Sequence, residues 1–279
     1  MSGFLDDMAS LSAARVAQAL ASESTDVLTR RARAAPPSAP LRLSAAGFDV
    51  IAELKLRSPA AGRLGDTTQD WLGRVAAYAR GGAAAVSVLT EPSRFDGSLD
   101  HLRQAAAALL PLRVPAMRKD FLVDPYQVLE ARAAGAGGVL VILRMLTRQR
   151  ITQLLDTAAE HGMFVLLEAF DADDLDAARD LIATRGARRT AHEDVILIGV
   201  NCRDLQSLAV AQERFAALAP LLPAGWPAVA ESGVASAADA RRVLGLGYRL
   251  ALVGTALMTR DDPASLLREI LAATRTVQP

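Results

Sequence analysis

The 279-residue sequence predicts an α/β fold, a parallel (β/α)8 barrel with an N-terminal helical extension. Three observations carry this expectation. From Asp49 onward, eight short apolar runs alternate with longer stretches of helical character. Half of the residues (51 %) are hydrophobic while only 4 % are aromatic, a balance that suits alanine-rich helices packed on a sheet better than a β-sandwich. Charged or amide residues follow five of the apolar runs, as strand ends along one rim of a parallel barrel would. An open, doubly wound sheet is the rival, because counting strands does not prove closure.

Residues 1–48 read as a helical extension and linker. Leu5, Met8, Leu11, Val16, Leu20, Val27 and Leu28 form a loose helical stripe that breaks around Ser22–Thr25. Pro36, Pro37 and Pro40 then exclude further helix. The barrel occupies 49–279, and the whole chain is expected to be one structural domain. Its strands are expected at Val50–Leu54, Ala83–Leu89, Val114–Met117, Gly138–Leu143, Phe164–Leu167, Val195–Val200, Ala228–Ala230 and Leu250–Val253. Helices are expected near Asp70–Arg80, Ser98–Leu109, Pro125–Ala134, Thr147–His161, Asp171–Ala183, Ala211–Leu221, Ser236–Leu244 and Pro263–Thr276. Asp171 and Ser236 are capping residues, Pro125 and Pro263 suit a first turn, and Gly81 and Gly135 stop their helices.

Composition excludes several classes. Thirty-one basic residues balance thirty-one acidic ones, which leaves no footprint for nucleic acid. An anionic small substrate would need a local cluster of positive groups. A single cysteine, Cys202, rules out an intramolecular disulfide, and His101, His161 and His192 lack metal-ligand spacing. The start carries no secretory signal pattern and no run reaches the length of a membrane span, so a cytoplasmic location is expected.

The charges at the run ends point to a site. Glu53 and Lys55 are two apart and face the same way. Arg118-Lys119-Asp120, Glu168, Asn201-Cys202-Arg203-Asp204 and Glu231-Ser232 end four further runs. One such charge is usually a solvated loop residue. Five sets abutting interior runs need mutual pairing instead, since an unpaired charge near a core is costly. Gly233 and Gly254, after the last two strands, would let backbone N–H groups approach a phosphate, with Ser232 and Thr255 beside them.

These residues resemble the indole-3-glycerol phosphate synthase family. The likeness lies in Ile51-Ala52-Glu53-Leu54-Lys55 through Ser58-Pro59, Ser87–Glu91 with Phe95 and Gly97, and Arg118–Phe121 with Asp124–Gln127. It continues through Leu167-Glu168, Ile198–Asn201 with Arg203-Asp204-Leu205, Glu231-Ser232-Gly233, and Val253-Gly254 with Leu257-Met258. The resemblance implies cyclisation of 1-(2-carboxyphenylamino)-1-deoxyribulose 5-phosphate to indole-3-glycerol phosphate in tryptophan biosynthesis. Carbon dioxide and water are lost, and no cofactor or metal is involved. It further implies Lys119 as general acid, Glu168 as base, Glu53 as its orienting partner, and Lys55 with Ser58 as binders of anionic groups. Asn201, Arg203 and Glu231 would fix hydroxyls, the anthranilate carboxylate and neighbouring charges. Phe95, Phe121 and Leu205 would wall the aromatic ring, although plain packing explains each equally well. Lys119 is expected to have a lowered pKa, through burial and cations such as Lys55.

Some positions depart from the family pattern. The loop Ser58-Pro59-Ala60-Ala61-Gly62 lacks a common second serine and basic residue, and Cys202 stands where asparagine is common. Packing is the preferred reading of that cysteine. Thr184–Asp194 reads as a solvated insertion away from the chemistry. The expected partner is a phosphorylated small molecule, with the protein a monomer or homodimer. Two alternatives stay open: another phosphate-binding barrel such as phosphoribosylanthranilate isomerase, and a catalytically silent paralogue serving as a binding protein.

Overall fold

A computed structural model describes residues 3–45, 47–58, 62–64, 70–186, 195–204 and 207–275. Eight parallel strands close on themselves: β1 (Asp49–Leu54), β2 (Ala85–Leu89), β3 (Ala116–Lys119), β4 (Gly138–Ile142), β5 (Phe164–Ala169), β6 (Ile196–Asn201), β7 (Ala228–Glu231) and β8 (Leu250–Val253). Closure is visible at β1, which pairs with β8 along one edge (Asp49↔Leu250 to Ala52↔Val253) and with β2 along the other (Ile51↔Ala85 to Leu54↔Val88). The open sheet is thereby excluded.

Alternation along the strands builds two cores. Ile51, Ala85, Met117, Leu140, Phe164, Leu166, Leu197, Val229 and Leu250 point inward and fill the barrel. Val50, Ala52, Val86, Val139, Val165, Ile198 and Ala251 point outward against the helices. Gly138 begins β4 because Phe164 on the neighbouring strand occupies the space where a Cβ would stand.

Most helices follow the expected caps. Ser236 accepts from Asp239 N at 3.2 Å, and Asp171 accepts from Asp174 N at 3.1 Å. Gly135 takes the left-handed conformation at φ 90°, but Gly81 stays right-handed at φ −74°, and the turn is made by Gly82 at φ 96°. The helix expected over Ala211–Leu221 is α-helical only from Glu213 to Leu218 and finishes as a 3-10 turn. Pro220 lies in that turn, where its ring and missing N–H oppose an α-helical continuation. Strands β3 and β5 run two residues beyond their apolar stretches, taking in Arg118, Lys119, Glu168 and Ala169. Polarity alone is a poor end signal where a strand carries inward charges that are paired.

The N-terminal segment forms α1 (Phe4–Ser22) and α2 (Thr25–Ala34), with Ser24 capping the second through Val27 N. Met8 of α1 is buried in the inner core, while Leu28 and Ala32 of α2 pack on Tyr126 and Leu129. No helix among the described residues is long and apolar enough to cross a membrane.

Candidate active site

The carboxyl ends of the strands surround a cavity of about 420 Å³. Its walls include Glu53, Lys55, Lys119, Glu168, Asn201 and Glu231, so the structure brings six residues from the ends of five strands onto one ring. Phe95, Phe121, Arg203, Ser232, Gly233, Gly254 and Thr255 line the same space. Leu205 and most of the insertion (187–194) lie outside the described residues. Ser58 belongs to a short antiparallel ribbon, pairing with Gly62.

Lys119 projects from the last position of β3 between two carboxylates: Glu231 Oε2 at 3.1 Å and Glu53 Oε2 at 3.8 Å. The other oxygen of Glu53 holds Lys55 Nζ at 2.9 Å. Burial disfavours the ammonium, but Glu231, Glu168 and Glu53 outweigh it and hold the Lys119 pKa above its ordinary value. This corrects the expectation of a lowered pKa: the facing charges are anions, and Lys55 is already held by Glu53. Glu53 is likewise buried, yet Lys55 and Lys119 keep its carboxyl below the usual range. Glu231 goes the other way. Burial, with Glu168 and Glu53 nearby, pushes it up to about 8 despite Lys119. Its Oε1 has no hydrogen-bond partner among the described residues.

Asn201 sets the geometry on the opposite side. Its Oδ1 accepts from Arg203 N at 2.9 Å and Ser232 Oγ at 3.0 Å, which leaves its Nδ2 to donate to Glu168 Oε1. Ser232 reaches Asn201 from a left-handed backbone (φ 65°), followed by Gly233 at φ 72°. That turn carries the Ser232 hydroxyl back over the barrel mouth, and the hydrogen bond helps to offset its strain.

Three strand-end residues have other duties. Arg118 points away from the cavity and binds Gln127 O, Glu130 and Asp120. Asp120 accepts from Thr90 Oγ1 at 2.7 Å and from Phe121 N at 2.8 Å. Cys202 is buried in the outer core, its thiol pushed up to about 11 by burial, as an inert packing residue would be. The close approach permitted by Gly254 is also not only a matter of phosphate, since a Cβ there would collide with Glu53 Oε1.

The family model described as indole-3-glycerol phosphate synthase matches residues 5–270. The chain belongs to the indole-3-glycerol phosphate synthase family. A relative of that name from Nocardioides sp. is 43 % identical over 236 residues, spanning 84 % of this chain and 85 % of its own. Another, from Mycobacterium tuberculosis (strain CDC 1551 / Oshkosh), is 40 % identical over 264 residues, spanning 93 % and 90 %. Among solved structures, 3-hexulose-6-phosphate synthase from Salmonella typhimurium superposes with a TM-score of 0.61 at 15 % identity, over 81 % of this chain and 98 % of that one. The last likeness is one of fold alone.

Two sets of residues escaped the sequence reading of this family member. Phe4 and Leu5 enter the cavity from α1, and the Phe4 ring meets Phe121 edge-on at 5.8 Å. The stripe containing Leu5 was visible, but which barrel face it covers was not. Gly199 lies inward on β6, where a Cβ would strike Glu231 Oε1. Its position, two residues before Asn201 on the same strand face, was the available signal.

Proposed function

We propose that the protein is an indole-3-glycerol phosphate synthase acting in tryptophan biosynthesis on 1-(2-carboxyphenylamino)-1-deoxyribulose 5-phosphate. The observation that carries this reading is Lys119, a cation held charged by carboxylates and aimed into a partly aromatic cavity at the barrel mouth. The aryl carbon bearing the carboxylate attacks the ketone carbon, and the Lys119 ammonium protonates the ketone oxygen as the C–C bond forms. Loss of carbon dioxide returns its bonding electrons to the ring. Glu231 reprotonates Lys119, which gives a second proton to the new hydroxyl. The hydroxyl leaves as water as the nitrogen lone pair pushes, and Glu168, oriented by Asn201, takes the proton from the adjacent ring carbon. One proton is consumed overall. Glu231, 3.1 Å from Lys119, is placed to return it.

Glu53 keeps Lys55 and Lys119 apart in fixed positions, and Lys55 with Arg203 offers positive charge to the substrate carboxylate. The phosphate would rest on the Ser232-Gly233 turn and on the N–H groups of Thr255 and Ala256, which open the helical turn Thr255–Met258 too early for an intrahelical acceptor. Phe95 and Phe121, with Phe4, would flank the aryl ring. We read residues 1–48 and the barrel as one unit, supported by the burial of Met8 in the inner core, and place its action in the cytoplasm with other biosynthetic enzymes.

Incubation of the purified protein with the carboxyphenylamino-deoxyribulose phosphate tests the reading. Indole fluorescence should appear with one carbon dioxide released per product. Folded protein that yields neither would turn the assignment towards a silent paralogue.

A further inference from the structure

We propose that Arg15 of helix α1 is a positioning residue for the ring closure, because its guanidinium ties together the two carboxylates that fix the aromatic wall of the cavity. The inference rests on the function proposed above, since that wall is assigned to the aryl ring of the substrate. Arg15 Nη2 lies 2.7 Å from Asp120 Oδ1, and its Nη1 lies 3.6 Å from Glu91 Oε1. The same Asp120 oxygen accepts from Phe121 N at 2.8 Å, so it sets the backbone that carries Phe121 and follows Lys119 directly. Glu91 accepts from Ser93 N at 2.8 Å and Arg94 N at 2.7 Å, and thereby caps the single turn Pro92–Phe95. Phe95 and Phe121 face each other at 6.2 Å. One cation therefore bridges the supports of both rings.

The bridge also decides where α1 sits. One turn earlier, Ser12 Oγ accepts from Gln127 Nε2 at 2.8 Å, and Met8 is buried in the inner core. Phe4 and Leu5 continue this face into the cavity, with Phe4 against Phe121. Met8, Ser12 and Arg15 are spaced by helical turns along one face, so a shift of α1 at Arg15 moves Phe4 relative to Phe121. Asp120 and Glu91 are almost wholly buried, while the Arg15 side chain is 28 % exposed. Removing Arg15 leaves Asp120 with Arg118 and Thr90, and leaves Glu91 with its cap. The barrel keeps its own network and loses only this charged link to α1, while Ser12 and Met8 still hold the helix.

The test compares wild type, Arg15→Met and Arg15→Lys, using turnover, amide hydrogen exchange, and binding of the C2-reduced substrate, whose alcohol cannot cyclise. Arg15→Met should raise KM and the Kd of the reduced analogue about tenfold, with kcat changed by less, as expected for a lost charge-assisted contact that acts through binding. Exchange should quicken in α1 without ligand while the barrel helices keep wild-type protection. Arg15→Lys, which retains a cation within reach of Asp120, should recover part of the affinity. Unchanged KM and Kd in Arg15→Met would overturn the proposal, as would lost affinity with α1 exchange unaltered. Failure of wild type to turn over would instead count against the proposed function, and the ligand-free exchange readout is independent of it.

Discussion

At Lys119 and Glu231 two effects oppose each other, and the winner differs. Both are buried, which penalises charge. Around Lys119 three carboxylates converge, so the ammonium is retained. Around Glu231 one lysine faces two carboxylates, and burial prevails, with the carboxyl pushed up to about 8. The consequence for stability has a definite sign. An unfolded chain releases the Glu231 proton near the ordinary 4.5, and the folded one near 8. Between those values the native state binds more protons, so this contribution is full below 4.5 and is lost as the pH rises through 8. The unfolding free energy of wild type minus that of Glu231→Gln, measured in urea from about pH 5 to about pH 8, should therefore decrease with pH. A difference that stays flat or rises contradicts the assignment. The sequence showed that these residues are charged and near one rim; it did not show which charge faces which. That is why the expected sign for Lys119 was wrong.

Among the elements, periodicity was legible and the meaning of small residues was not. The eight apolar runs could be located within a few residues because both faces of each strand are buried. Arg118 and Lys119 are adjacent in sequence, yet the pleat sends one outward to Glu130 and the other into the cavity. Alternation from Glu53 and Lys55 could have separated them. Gly138, Gly199 and Gly254 are different, since each makes room for a side chain on another strand, information that only the register supplies. Gly138→Ala should destabilise the protein by about 1–3 kcal/mol through overpacking against Phe164. Urea unfolding measures that loss. KM should stay at the wild-type value, because Phe164 opens β5 at the end of the barrel opposite the cavity. A raised KM at unchanged stability would show that the lower barrel layer communicates with the site.

Across the whole molecule, the helical segments flanking the barrel complete what it begins. Arg275, after the last helix, reaches Asp49 Oδ1 at 2.6 Å and Phe48 O at 3.1 Å, joining the segment after that helix to the first strand. The N-terminal helix supplies Phe4 and Leu5 to the cavity from the other side. Zero net charge excluded a long-range field for an anion, and the structure concentrates the needed cations in Lys55, Lys119 and Arg203 at the barrel mouth. Lys119 is the proposed acid of ring closure. The most direct test of this role is Lys119→Met, assayed side by side for turnover and for binding of the C2-reduced substrate. The kcat should fall by a factor on the order of 10² to 10⁴, with analogue affinity retained within about tenfold. Wild-type-like turnover in that variant would contradict the account.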